Sequence, residues 1–162
     1  MIDLKQAFTS LADHAVEYVV VGGVAINLHS SAYITRDLDF CYSRTIENLN
    51  RLVKALEPFQ PRPRGFDPNL PFYFDLSTLR NGTNFTFETS LGEIDMLGEV
   101  KGIGDYSAVL ERSVVYQIYG CEVRALSLDG LILAKTAADR PKDHLVLPEL
   151  YALREALDPN EE

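Results

Sequence analysis

Cysteine is scarce in this chain, with only Cys41 and Cys121 among 162 residues. No CxxC pair and no zinc-ligand spacing links them, so they read as buried free thiols of a reducing compartment. Basic residues are also few, 15 Lys and Arg against 24 Asp and Glu, for a net charge of −9. That deficit weighs against sequence-blind binding along a polyanion, which takes its affinity from basic side chains on phosphates, and any nucleic-acid partner has to be gripped locally. Long apolar runs are missing, since the longest, Tyr18 to Ile26, is far too short to cross a bilayer. The start, Met1-Ile2-Asp3-Leu4-Lys5, lacks a signal-peptide layout. A soluble, cytoplasmic protein with no membrane partner is the expectation. Repeats, low-complexity segments, GxGxxG and Gly-Lys-Ser/Thr are absent as well, so neither a Rossmann fingerprint nor a Walker loop is present.

What is there is a core. Hydrophobic residues make up 46% of the chain, and a chain of this size buries roughly 70% of its unfolded surface without a disulfide or metal staple. A single domain over 1–162 is expected, with a core over about 1–126 and C-terminal helices over about 127–157.

Leu4, Ala7, Phe8, Leu11 and Ala12 recur at helical spacing behind Asp3, a helix-capping residue. Val16 to Val21 is a β-branched run of the kind a strand covered on both faces shows, Gly22-Gly23 stops it, and Val24 to Leu28 resumes as a short helix. Thr35 to Tyr42 reads as a strand, and Ile46, Leu49, Leu52, Val53 and Leu56 as a helix that starts near Ser43 or Thr45 and ends before Pro58. Gln60 to Pro71 holds four of the eight prolines and no periodicity, the mark of an irregular surface loop. Phe72-Tyr73-Phe74 reads as a strand packed into the core. Asn84 to Thr89 with Glu93 to Leu97, and Val114 to Tyr119 with Glu122 to Ala125, alternate as two hairpins. Ser127 caps a helix to about Ala138, Pro141 interrupts, and Pro148 opens a last helix through Leu157. The fold class is α/β (α+β), a mixed sheet with helices packed on it and a helical C-terminus.

The chemistry concentrates in two places. A glycine pair between strand and helix by itself makes only a tight turn, but at a helix N-terminus the missing side chains also let a phosphate approach backbone N–H groups. In Arg36-Asp37-Leu38-Asp39-Phe40 the period of two sends both carboxylates to one face. Two like charges there destabilise the strand unless a cation or a basic neighbour such as Arg36 or Arg44 stands between them. Asp95 adds a third, because the apolar Ile94 and Met96 turn it to the open side of its own strand. Three oxygen-bearing side chains on neighbouring strands suit octahedral Mg²⁺. His14, His29 and His144 are scattered without ligand spacing and read as surface or capping residues. Arg62-Pro63-Arg64 reads as a solvated loop, and despite the negative total charge it is the local candidate for gripping an RNA backbone.

The combination of apolar strand, Gly22-Gly23, short helix, Asp37-Leu38-Asp39 and the later Asp95 resembles the nucleotidyltransferase superfamily related to DNA polymerase β. Its small stand-alone prokaryotic members, including AbiEii-type toxins, are the particular likeness. The likeness covers about the first hundred residues, and Lys135 with Arg140-Pro141-Lys142-Asp143 is similar to the family's C-terminal basic motif. It implies a metal-dependent transfer of a nucleoside monophosphate from an NTP to an acceptor hydroxyl on RNA or tRNA, a protein or a small molecule. Asp37, Asp39 and Asp95 would hold Mg²⁺ or Mn²⁺, with Asp95 favouring deprotonation of the attacking hydroxyl. Gly22 and Gly23 would cradle the triphosphate, with Arg36, Lys135 and Lys142 offsetting its charge. A toxin–antitoxin setting implies a cognate partner protein from a neighbouring gene. The chain departs from the pattern at Gly23, where the family often has serine, at Tyr33, where relatives carry arginine, and at Val146, where an acidic residue is common. The departures at Tyr33 and Val146 motivate the alternative of a catalytically silent binding module on the same fold, antitoxin-like or a scaffold partner.

Overall fold

The computed structural model describes residues 1–29 and 36–157. Helix α1, Leu4–Asp13, starts where its sequence places it: the Asp3 carboxylate accepts the Gln6 backbone N–H at 3.1 Å, and Ala7, Phe8 and Leu11 are buried. Strand β1, Tyr18–Val21, is buried at every position, as an unalternating β-branched run requires of an inner strand. Helix α2, Gly22–His29, follows with no linker. Gly22 and Gly23 are thus the first turn of that helix, not a stop before it. Gly22 at φ +71° lets the chain pass from extended to helical within one residue.

Strand β2 is Asp37–Tyr42, and helix α3, Ile46–Leu56, is capped by Thr45, whose hydroxyl accepts the Asn48 N–H. A single 3₁₀ turn, Glu57–Phe59, places Pro58 where no N–H is needed. After β3, Arg62–Pro63, come helix α4, Leu76–Asn81, and the hairpin of β4, Phe85–Thr89, with β5, Gly92–Leu97. A small ladder, β6, Glu99–Val100, with β7, Gly104–Asp105, leads into helix α5, Tyr106–Glu111. The second hairpin joins β8, Ser113–Ile118, to β9, Cys121–Leu126, and helices α6, Leu128–Ala138, and α7, Pro141–Leu157, end the described chain.

Among the described residues seven strands form one mixed sheet in the order β3-β4-β5-β2-β1-β9-β8. Strand β2 lies antiparallel to β1 and parallel to β5. Its Leu38 and Phe40 are fully buried with Ile94 and Met96 of β5 in the core, leaving the other face of both strands to acidic side chains. No helix of the described residues is long and apolar enough to cross a membrane.

Three segments differ from what their sequence predicts. The proline-rich 60–71 segment contains strand β3, because the open edge of β4 captures it: Arg62 pairs with Glu88, Pro63 with Phe87, and the Arg64 N–H donates to Thr86 O at 2.9 Å. A strand proline is tolerated at a sheet edge, where its missing N–H breaks no ladder. Phe72-Tyr73-Phe74 joins no ladder; Phe72 and Phe74 lay their rings on Phe87 while Tyr73 is 72% exposed. The last helix begins at Pro141, and Pro148 sits exposed inside it. The start is set by Asp143, whose carboxylate reaches back to the Arg140 N–H at 3.0 Å, the reciprocal half of a capping box. Of the two cysteines, Cys41 is buried as expected and Cys121 is only half-buried.

Candidate active site

The parallel pairing of β2 with β5 does what neither strand does alone. It sets Glu93 opposite Asp37 and Asp95 opposite Asp39. Residues in register share a face, so four carboxylates stand in a two-by-two array. Oxygens of Asp37, Asp39 and Asp95 lie within 4.8 Å of one another. Like charges this close on neighbouring strands repel, and the structure offsets the repulsion in three ways. Burial first, then the charge and hydrogen bond of Asp95 and the charge of Asp37, push the Asp39 carboxyl up to about 7, while Lys135 pulls it down. Glu93 is raised too, chiefly by its hydrogen bond with Asp37. Arg64 supplies a cation, with Nη2 2.8 Å from Asp95 Oδ1 and Nε 3.4 Å from Glu93 Oε1.

Asp39 is walled in by α2. A β-carbon on Gly22 would overlap Asp39 Oδ2, so the positive φ and the missing side chain serve the same approach. Asp39 Oδ1 is buried without a hydrogen-bond partner among the described residues. An all-oxygen donor set with one orphaned buried oxygen fits a hard divalent cation such as Mg²⁺.

The array opens into a cleft of about 540 Å³ whose other walls carry Gly23, Arg36, Lys135, Arg140 and Lys142. A second chamber of about 400 Å³, with Val21, Leu126, Leu131 and Ala134 in its wall, adjoins it, and Asp39, Leu97, Lys135 and Arg140 face both. The basic side is built at the corner between α6 and α7. There Asp139, left-handed at φ 53°, ends α6 and donates its N–H to Lys135 O. Asp143, with no exposed surface, binds Lys135 Nζ at 3.3 Å and Arg140 Nε at 2.7 Å. Burial opposes its ionisation, but hydrogen bonds from the Arg140 side chain and backbone and from Lys135 outweigh it and hold the carboxyl at about 2.

All eight site residues expected from sequence, Gly22, Gly23, Arg36, Asp37, Asp39, Asp95, Lys135 and Lys142, line one or both chambers. Tyr33 and Thr35 lie outside the described residues, and Val146 lines the cleft. Sequence reasoning missed Glu93 and Arg64 as members of the site and Arg140 as a wall of both chambers. Glu93 carries the parity of Asp95, two residues away, which is a usable signal; Arg64 carries none. Its expected place on a solvated loop is wrong, because β3 aims it at the carboxylates. The histidines are structural: His14 Nδ1 bonds Ser10 O, His144 pairs with Asp139, and His29 joins Leu126 O to the Tyr116 hydroxyl.

No protein-family model matches the sequence, and no curated protein does. Solved structures match over nearly the whole chain. The lincosamide antibiotic adenylyltransferase LnuA, bound to lincomycin, is 13% identical at a TM-score of 0.59, covering 94% of this chain and 98% of that one. ANT(2'')-Ia in complex with adenylyl-2''-tobramycin is 15% identical at 0.56, covering 98% and 97%. An antigenic nucleotidyltransferase-like protein from Paracoccidioides brasiliensis is 15% identical at 0.58, covering 94% and 77%. Identities this low speak for architecture alone, and on that level the finding is plain: the chain has the nucleotidyltransferase fold.

Proposed function

We propose that the protein is a metal-dependent nucleotidyltransferase that moves a nucleoside monophosphate from an NTP to an acceptor hydroxyl, releasing pyrophosphate. The observation that carries this is the convergence of Asp37, Asp39 and Asp95 within 4.8 Å, with Asp39 Oδ1 buried and partnerless while Oδ2 of the same carboxylate lies against Gly22, which has no room for a side chain. In this reading the three aspartates hold Mg²⁺ or Mn²⁺. A divalent ion bound there would neutralise phosphate charge and acidify a hydroxyl beside it.

The protein's own groups do the rest. The N-terminus of α2, bare of side chains at Gly22 and Gly23, offers backbone N–H groups to the triphosphate. Lys135, Arg140, Arg36 and Lys142 surround the same cleft and oppose the negative charge that grows on the departing pyrophosphate. Asp95, already held by Arg64 Nη2 at 2.8 Å, is the carboxylate this reading assigns to favour deprotonation of the attacking hydroxyl. The fold neighbours bound to lincomycin and to adenylyl-tobramycin support a small hydroxyl-bearing acceptor over RNA, tRNA or protein. Arg64, occupied by Asp95 and Glu93, is not available to an RNA backbone in the way its sequence context suggests.

The test is transfer of label from each of the four NTPs with Mg²⁺ or Mn²⁺ across small-molecule, tRNA and protein acceptors. Asp37→Asn and Asp39→Asn should each lower transfer by at least about a hundredfold. Transfer that survives both changes would sink the proposal. NTP binding with no turnover on any acceptor would instead favour the silent binding module, which the departures at Tyr33 and Val146 motivate.

A further inference from the structure

The sheet register puts one long side chain in an unexpected place. Asp39 of β2 lies opposite Asp95 of β5, Asp95 opposite Thr86 of β4, and Thr86 O accepts the Arg64 N–H. Residues that lie side by side across a sheet share a face, so Arg64, Thr86, Asp95 and Asp39 form one transverse row. From there the Arg64 guanidinium reaches Asp95 Oδ1 at 2.8 Å and Glu93 Oε1 at 3.4 Å. Its backbone N–H, in the turn that follows β3, donates to Thr86 O at 2.9 Å, and its side chain is 31% exposed. This is a built contact and not a surface side chain that happens to lie nearby.

We infer that Arg64 sets the cation affinity of the site by acting as its resident counter-ion. The inference rests on the metal reading of the aspartate trio given above. The guanidinium holds Asp95 by the charge-assisted hydrogen bond that a divalent cation has to weaken, and its own positive charge opposes that cation's approach. A bare cation therefore binds poorly. A cation that arrives on a triphosphate brings negative charge with it, which relieves the repulsion from Arg64. The site so discriminates a phosphate-chelated cation from a free one, and the discrimination resides in a residue of the turn after the edge strand, outside the aspartate trio.

The measurement is Mn²⁺ binding to the full chain, followed without triphosphate by loss of the free-ion paramagnetic resonance signal, and with inorganic triphosphate by the water-proton relaxation enhancement of the Mn²⁺–triphosphate chelate on adding protein. For Arg64→Gln, binding without triphosphate should tighten about tenfold, the factor carried by one charge-assisted hydrogen bond of moderate exposure. With triphosphate the two proteins should agree within about threefold, since the ligand has already offset the arginine. Arg64→Lys keeps the charge and should stay close to the wild type. A second readout needs no variant: in the wild type, titrating Mg²⁺ should release the restrained Arg64 guanidinium N–H resonances. Arg64→Gln binding Mn²⁺ as weakly as the wild type, or more weakly, overturns the inference while leaving the metal reading intact. Guanidinium resonances that stay restrained at saturating Mg²⁺ overturn it in the same way. Failure of both proteins to bind Mn²⁺ under either condition overturns the metal reading itself, and this inference with it.

Discussion

Asp143→Ala is the substitution whose cost the structure specifies most closely. The Asp143 carboxylate has no exposed surface and receives the Arg140 backbone N–H at 3.0 Å, Arg140 Nε at 2.7 Å, Arg140 Nη2 at 3.2 Å and Lys135 Nζ at 3.3 Å. Truncation leaves these donors with different prospects. Arg140, 53% exposed, turns back to water and loses little. Lys135, 17% exposed, keeps much of its desolvation and loses its acceptor, and the first turn of α7 loses an N–H acceptor and a favourable negative charge. Breaking a buried pair costs about 3 to 5 kcal/mol; with one partner free to rehydrate, about 3 kcal/mol is expected for alanine. Asparagine, which still accepts the Arg140 N–H, should cost roughly half that. Urea unfolding at pH 7 gives both values. The pH dependence supplies a second check. A carboxyl held at about 2 in the folded chain contributes stability that is complete above its ordinary value near 4 and is lost as pH falls through 2. The gap between wild type and Asp143→Ala should therefore be narrower at pH 3 than at pH 7. An alanine variant within about 0.5 kcal/mol of wild type at pH 7 would refute the reasoning.

Other expectations follow from the same geometry. Gly22→Ala places a methyl group on Asp39 Oδ2 at a left-handed φ of 71°, so it should stay folded, lose about 1 to 2 kcal/mol and bind Mn²⁺ at least about tenfold more weakly; calorimetric titration equal to wild type would contradict it. The carboxyl of Asp39, raised to about 7, costs the metal-free fold increasing stability as pH rises from about 4 to 7 and levels off above. Mn²⁺ should accordingly raise the melting temperature more at pH 8 than at pH 5, and an equal shift at both would count against the raised carboxyl. Phe87, 1% exposed and touched by the rings of Phe72, Phe74 and Phe85, should cost about 3 to 5 kcal/mol as alanine, measurable by denaturant unfolding. A loss under 1 kcal/mol would mean that the aromatic cluster does not anchor the segment after β3.

How far the fold can be read from the sequence depends on how local its causes are. Asp3, Thr45 and Ser127 cap the helices they precede, each through its own side chain and an N–H three residues on, and such signals need nothing beyond the segment. The two long hairpins are equally local. Strand β3 is not, because Arg62 and Pro63 have no strand pattern of their own and are extended only where the edge of β4 pairs with them. Pro148 misleads for a related reason. A proline inside a helix is ordinarily costly, yet here it lies on an exposed position of a helix already started by Pro141 and Asp143. Helices α4 and α5 carried legible caps in Asp75 and Asp105 but are only six residues each, too short for periodicity to stand out.

The site divides along the same line. Alternation within β2 suffices to bring Asp37 and Asp39 to one face, and alternation within β5 turns Asp95 outward, so the trio was legible. The square that Glu93 completes required the register between β2 and β5, a parallel pairing of strands far apart in the chain. Arg64 required the turn after a further strand, 31 positions from Asp95. Net charge misleads most here. At −9 overall the chain argues against a polyanion partner, yet four of its 15 basic residues, Arg36, Lys135, Arg140 and Lys142, line the one cleft that also holds the aspartates. A field within a cleft is set by the groups inside roughly one Debye length, about 8 Å at physiological salt, and composition averages over a far larger distance. An acidic protein is thus compatible with binding a highly charged anion whenever folding gathers its few cations around a cluster of carboxylates that itself calls for a metal.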